Sequence, residues 1–309
     1  MNYKNKQRER VKNLFNAESD IFNGDKGNGV FRGRQYAFVL NDCKNNLYTP
    51  IHDETLRYFK LNKIEWWGGN HPTTHPLSSQ IACINHLFPL RHDEEAVCDI
   101  ANGLCPEITK VHRITSDKHN PGFVQFEAVS DDDLLNEKCS TRGRNCTSVD
   151  ALILGSFENG SKILILIEWK YVETYGDKDY TEGESGKIRG NRYNNLITQS
   201  EQITGVNKIL YFEPFYQLMR QTLWAEQMTH NKDNETVQAN DFFHIHVIPS
   251  QNDELLDKTY MSGMTMEKTW RECLLDQSKY RIITPEELLS PINNHKYSAL
   301  IDYLRTRYW

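Results

Sequence analysis

The sequence predicts an α/β protein, with a central β-sheet flanked by helices and helical extensions at both ends. Three observations carry this reading. Residues 148–154 and 163–170 are two aliphatic, β-branched runs separated by Asn159-Gly160, the pattern of an antiparallel hairpin. Both runs are nearly continuously apolar, so both of their faces are expected to be covered by other elements. Helical patterns lie on either side of them, the strongest at 215–228, where Phe215, Leu218, Met219 and Leu223 share one face.

The remaining elements follow in order. Residues 1–20 read as a polar amphipathic helix with Val11, Leu14 and Phe15 on one side, and 23–29 as a glycine-rich loop. A helix over 55–63 ends before Trp66-Trp67-Gly68-Gly69. Paired tryptophans can stack on nucleobases, but packing is their commoner task. Ser78 or Ser79 caps a helix that runs to Leu87 and stops at Pro89. A short helix is expected over 94–104 and strands over 108–114 and 123–129. Residues 174–190, rich in Gly, Asp, Glu and Lys, read as a mobile loop suited to closing over a substrate. A helix over 192–203 and a strand-like piece at 208–212 come next. The last expected strand is 242–249, whose His244 and His246 share a face and read as structural. Residues 286–289 and 298–308 read as C-terminal helices. The expected division is an N-terminal extension over 1–75, a core over 76–250 and a helical C-terminal extension over 251–309.

Charges inside the apolar hairpin are what point to chemistry. Asp150, Glu168 and Lys170 lie at one end of it, and a buried charge is costly unless it is paired or binds a metal. Side chains alternate along a strand, so Glu168 and Lys170 share a face and Trp169 points to the other. If the turn is centred on Asn159, Asp150 lies opposite Glu168, with Cβ atoms about 4.5–5.5 Å apart. That register needs an odd number of loop residues; a two-residue Asn159-Gly160 turn sets Asp150 opposite Trp169 instead. Two such carboxylates suit Mg²⁺, which takes oxygen ligands and keeps several waters. Lys170 would then stand beside the ion, placed to orient water or stabilise developing negative charge. The plainer alternative is an i,i+2 ion pair of Glu168 and Lys170 where the strand leaves the sheet, with Asp150 a solvated strand end.

An Asp on one strand, a short hairpin and Glu-x-Lys closing the next resembles the PD-(D/E)xK nuclease superfamily. Its Asp, Glu and Lys correspond to Asp150, Glu168 and Lys170, while its leading proline is replaced by Val149. Residues 75–85 and 213–221 are also similar to a bacterial branch of that superfamily, mostly uncharacterised restriction-endonuclease-like proteins. The resemblance spans about Glu65 to Ser250. It implies a restriction-endonuclease-like core with a mixed sheet and Mg²⁺-dependent hydrolysis of phosphodiester bonds, most simply in DNA, in restriction or defence. Asp150, Glu168 and the Trp169 carbonyl would hold Mg²⁺, with Mn²⁺ as a substitute. A helix before the sheet often supplies a further acidic or polar group in the superfamily; the candidates are Gln80, Glu94 and Glu95. Glu127, at the end of a strand, and Gln199 and Gln202, on the helix after the hairpin, are further candidates for the site. Two other functions stay open: a non-catalytic nucleic-acid-binding or interaction protein on the same fold, and an RNA-directed nuclease.

Composition bounds the partners. The formal net charge is −6, which does not favour nucleic acid, since phosphate contacts come from Lys and Arg. Local clusters offset this: Lys138, Arg142 and Arg144 precede the Asp150 strand, and Lys187, Arg189 and Arg192 follow the Glu168 strand. Their position on either side of one site favours phosphate contacts. No run approaches a membrane span, and the segment from Met1 to Lys6 has no apolar signal-peptide core. The expected compartment is the cytoplasm, without membrane attachment. The seven cysteines contain no C-x-x-C pair, and zinc is not expected. Cutting both strands of a duplex would favour a two-fold homodimer.

Overall fold

A computed structural model covers the chain and describes residues 1–17, 20–138, 142–143, 146–176, 178–293 and 295–309. Its centre is the hairpin of β5 (Val149–Phe157) and β6 (Lys162–Trp169). The two strands pair antiparallel from Ala151 opposite Ile167 to Ser156 opposite Lys162. Position numbers of partners sum to a constant, so the turn is centred on Asn159. The loop is Glu158-Asn159-Gly160: Phe157 and Ser161 still pair through the Phe157 N–H, and the Gly160 N–H returns to the Phe157 carbonyl. Gly160 has φ +83°, the left-handed conformation that a three-residue hairpin loop asks of its last residue and that glycine adopts without steric cost.

On one edge of β5 lie two antiparallel strands. β3 (Ile108–His112) pairs with its C-terminal half and β4 (Val124–Ala128) with its N-terminal half. On the other side β6 pairs in parallel with β7 (Asp241–Val247), and β7 with β8 (Tyr280–Ile283). The result is a mixed six-stranded sheet, as the resemblance implies.

Both faces are covered, which is why the hairpin is apolar throughout. Ala151, Ile153, Ile165, Ile167 and Trp169 face one core, which also takes in α1 (Tyr3–Asn16), α2 (His52–Leu61), α3 (Ser79–Leu87), α4 (Glu94–Leu104), α9 (Pro285–Leu289) and α10 (Ser298–Arg307). Leu152, Leu154, Leu164 and Leu166 face the second core, shared with α5 (Gly183–Gln199), α6 (Phe215–His230), α8 (Met266–Glu272) and the short α7 (Asp253–Leu256). Ser78 caps α3, its side chain accepting from the Ile81 N–H, and Pro89 lies in the 3₁₀ turn that follows the helix.

Three expectations need correction. Helix α5 begins at Gly183, so the loop expected over 174–190 is helical in its second half. Glycine content argued against helix there, but Tyr193 and Ile197 bury against the core, and Gly186 lies so close to Thr181 that a Cβ would come within 1.9 Å of its carbonyl oxygen. Residues Lys208–Tyr211 form a 3₁₀ turn, not a strand. The C-terminal segment is not purely helical: β8 is an integral strand of the sheet, so a core ending at residue 250 would cut the sheet. Its four residues are too short a run to stand out among neighbouring helical patterns.

Candidate active site

The hairpin register decides the site. One step beyond the Ala151–Ile167 pair, Asp150 stands opposite Glu168. On the far side of β5, Phe126 pairs with Ala151 and Ala128 with Val149, leaving Glu127 level with Asp150. Glu127 has φ +48°, a conformation that costs a non-glycine residue energy and that surrounding contacts must hold. Three carboxylates thus occupy adjacent strands at the same end of the sheet. All three line one cleft of about 540 Å³, together with Gln80, Lys170 and Gln217.

Each carboxylate has named partners. The Trp169 backbone N–H donates to Asp150 Oδ2 at 2.7 Å. Glu168 is 3% exposed and Lys170 5%, and Lys170 Nζ meets Glu168 Oε1 at 2.6 Å. Two residues of α6 complete the group. Gln217 donates to Glu168 Oε1 at 2.7 Å and accepts from Lys170 Nζ at 2.5 Å. Gln221 donates to Glu168 Oε2 and to the Ser148 carbonyl. They are one helical turn apart, so both reach the sheet from the same face of the helix. Glu127 accepts from Gln80 at 2.6 Å and from the Ser148 hydroxyl at 3.0 Å.

The electrostatics follow from burial and crowding. Burial, then Glu168 and Glu127, push the Asp150 carboxyl well above the usual aspartate range, against the opposing pull of Lys170 and the Trp169 N–H. Burial likewise raises Glu127, although Gln80 and Ser148 act the other way. Burial alone would depress Lys170, but Glu168, backed by Tyr175, Glu173 and Asp150, outweighs it and holds the ammonium well above the usual lysine range. Lys170 is therefore a fixed cation and not a free base. On β7, His246 stands across from Glu168. Burial first and Lys170 second depress both His246 and His244, the latter to about 3. They are neutral interior groups, consistent with a structural role.

Oxygen-only ligands and acids that repel one another suit a hard divalent cation, which relieves the repulsion. Among the described residues no three or more acidic, His or Cys side chains converge closely enough to ligate one ion. Two carboxylates supplemented by a backbone carbonyl and water remain a fitting donor set for Mg²⁺.

The other sequence candidates fall in different places. Gln80 and Glu127 join the cleft. Glu94 and Glu95 are exposed in the first turn of α4, and Gln199 is exposed at the end of α5. Gln202 donates to the Asp276 carbonyl, away from the cleft. Arg142 is held inside: it bonds Asp117 at 2.9 Å, the Tyr58 hydroxyl at 3.3 Å, the Glu127 carbonyl at 3.1 Å and the Phe126 carbonyl. Its guanidinium braces β4 beneath the site and is not offered to a phosphate. Arg144 lies outside the described residues. Lys138 is exposed, Lys187 pairs with Glu184 on the surface, Arg189 lies over the Tyr180 ring, and Arg192 over the Tyr193 ring. The residues that sequence reasoning missed are Gln217 and Gln221. Their i,i+4 spacing on a helix that is otherwise apolar toward the sheet was the signal available.

A family model described as "Restriction Endonuclease associating with ARP" matches residues 8–309. No curated protein and no solved structure matches the chain. The match covers nearly the whole length, including every strand of the sheet and every residue of the cleft except Lys4, and on that basis the chain belongs to the family of restriction endonucleases associating with ARP.

Proposed function

We propose that the protein is a Mg²⁺-dependent endonuclease that hydrolyses phosphodiester bonds in DNA, with Mn²⁺ able to replace Mg²⁺, and that it works in the cytoplasm. The observation that carries this is the register that sets Asp150 opposite Glu168 with Lys170 on the same face. Asp150, Glu168, the Trp169 carbonyl and water would hold the ion. When bound, the ion supplies a Lewis acid for the phosphate and lowers the pKa of water.

The chain's own residues divide the remaining work. Gln217 and Gln221 fix the rotamer of Glu168, so that its carboxylate faces the cleft without having to reorganise. Lys170, held charged by its neighbours, presents a cation where negative charge develops on the phosphate oxygens. Gln80 and Ser148 hold Glu127 in place beside Asp150. The exposed Lys138, with Arg189 and Arg192, would take up phosphates flanking the site. Cutting both strands would call for a second copy related by a two-fold axis.

The test is incubation of the full chain with plasmid, linear duplex, single-stranded DNA and RNA, in chelator, Mg²⁺ or Mn²⁺. Divalent-dependent cutting of DNA is the expected result. Cutting of RNA alone would replace the substrate, and binding without cutting under any condition would make the protein a non-catalytic member of the family.

A further inference from the structure

The two tryptophans of Trp66-Trp67 have opposite environments. Trp66 is 5% exposed and stacks on Phe59 at 3.7 Å between ring centroids; it is a packing residue. Trp67 is 56% exposed and lines the cleft that holds Asp150, Glu168 and Lys170. A single large aromatic left open at the mouth of a charged cleft calls for an explanation that packing does not supply.

Its neighbours form a built surface. Phe31 stacks against Trp67 with centroids 5.9 Å apart and planes 20° from parallel. The guanidinium of Arg32 lies 5.3 Å from both rings. His75 packs on Phe31 at 4.8 Å. Phe31 and Arg32 come from the short hairpin of β1 (Val30–Phe31) and β2 (Arg34–Gln35), whose two-residue turn is Arg32-Gly33. Arg32 has φ +50° there, an uncommon conformation for an arginine. Trp67 is also tied to the site: its backbone N–H donates to Gln80 Oε1 at 3.0 Å, and the other end of that amide holds Glu127.

Two cations lie at the same rim, and Glu173 also lines the cleft. Lys4 and Arg32 line the cleft. Burial, then Lys4, Arg8 and Arg32, depress His75 to about 4, so the imidazole is a neutral ring among three cations. Neither Lys4 nor Arg32 has a carboxylate partner among the described residues.

We propose that Trp67, Phe31 and Arg32 form a clamp for an unpaired nucleobase, so that the cleft takes DNA in which a nucleotide beside the scissile phosphate is unstacked. Trp67 supplies the open face on which the base stacks, and Arg32 and Lys4 take the adjoining phosphates. Aromatic platforms beside basic residues bind single strands in this way, because every base has a π face and the backbone carries the charge. A base paired within an intact duplex presents only its edge and cannot stack on Trp67. The substrate is therefore either a single strand or a duplex with an everted or unpaired base. This rests on the nuclease reading above for its substrate but not for its geometry.

The test measures binding without turnover. Fluorescence anisotropy in chelator compares three labelled DNAs with the full chain: a single strand, a perfect duplex, and the same duplex carrying one unpaired base. Wild-type protein should bind the single strand or the unpaired-base duplex more tightly than the perfect duplex, and which of the two is preferred identifies the source of the base. Trp67→Ala should lose about fivefold to 150-fold in affinity on the preferred DNA and little on the perfect duplex. Trp67→Phe should recover most of the loss, and Arg32→Gln should flatten the salt dependence on a single strand by about 0.7. Trp67 is half open and loses only its contacts with Phe31 and Arg32 on truncation, so the melting temperature should fall little and equally whichever DNA is present. Equal losses on paired and unpaired DNA, or wild-type affinity in Trp67→Ala, would overturn the clamp. A parallel Mg²⁺ cleavage assay separates the two ideas. Trp67-dependent binding without cleavage leaves the clamp standing and removes the nuclease; cleavage with no Trp67 dependence does the reverse.

Discussion

Asp150 carries the cost of the site. Half-buried beside Glu168 and Glu127, its carboxyl is raised well above the usual range, so the folded chain holds that proton more tightly than the unfolded one. Stability from this group is present below the ordinary aspartate value and is lost as pH climbs from there through the folded value. Asp150→Asn removes the penalty while keeping an oxygen for the Trp169 N–H. In chelator at neutral pH it should melt at a higher temperature than wild type. Wild type should gain stability on adding Mg²⁺, by about 2.7 kcal/mol at a hundredfold excess over Kd, and Asp150→Asn should gain far less. Equal Mg²⁺ stabilisation of both proteins would take Asp150 out of the ion's ligand set. Arg142 makes the contrasting case. Its partner Asp117 has no exposed side-chain surface and keeps Arg91 at 3.7 Å and the Tyr58 hydroxyl at 2.7 Å, so Arg142→Ala removes one of two cations from a buried carboxylate and leaves the Phe126 and Glu127 carbonyls without their donor. The expected loss is about 1–3 kcal/mol of unfolding free energy, read by denaturant titration. A stable Arg142→Ala variant with a weakened salt dependence of DNA binding would instead restore it as a phosphate contact.

At the level of elements, the β5–β6 hairpin sets everything above it through its loop. A slip of one residue would move Asp150 to face Trp169 and turn the carboxylate pair away from each other. Gly160→Val places a β-branched residue at φ +83°, which should cost about 1–2 kcal/mol. If the register survives, metal affinity should stay at the wild-type value despite that loss; a variant that keeps its stability but loses metal would mean that the loop does not hold the register as described. Helix α6 acts as the second positioning element. Gln221→Leu leaves a Glu168 oxygen without its donor, and cleavage should fall by tenfold to a hundredfold, with the fold intact by circular dichroism. Unchanged cleavage would remove Gln221 as a positioning residue.

Over the whole molecule, much of the architecture could be read in advance because it depends on local patterns. The hairpin and its two possible registers followed from alternation and the Asn159-Gly160 turn; the three-residue loop of the fold selects the one that pairs Asp150 with Glu168. The helix capped by Ser78 was marked by its hydroxyl and by Pro89. What resisted reading depended on distant contacts. Gln217 and Gln221 lie about fifty residues after Glu168 and carry no charge to mark them. Arg142 looked like a member of a basic cluster because its partners Tyr58 and Asp117 are far away in sequence. The glycines of α5 disguised a helix that tertiary packing enforces, and Trp66 and Trp67 part company because Trp66 bridges to Gly69 while Trp67 lies in the turn between them. Lys4 and Arg32, remote in sequence from the hairpin, reach the cleft only through the tertiary fold.

The central claim is that Asp150 and Glu168 hold an ion while Lys170 acts on the phosphate. Lys170→Ala tests that division in one paired measurement: Mg²⁺ affinity by calorimetry, and nicking of supercoiled plasmid on a gel. The expected result is an ion bound at least as tightly as in wild type, since a cation beside two carboxylates has been removed, with nicking slowed on the order of 10²–10³. A Lys170→Ala protein that nicks at the wild-type rate, or one whose Mg²⁺ affinity collapses, would contradict the account.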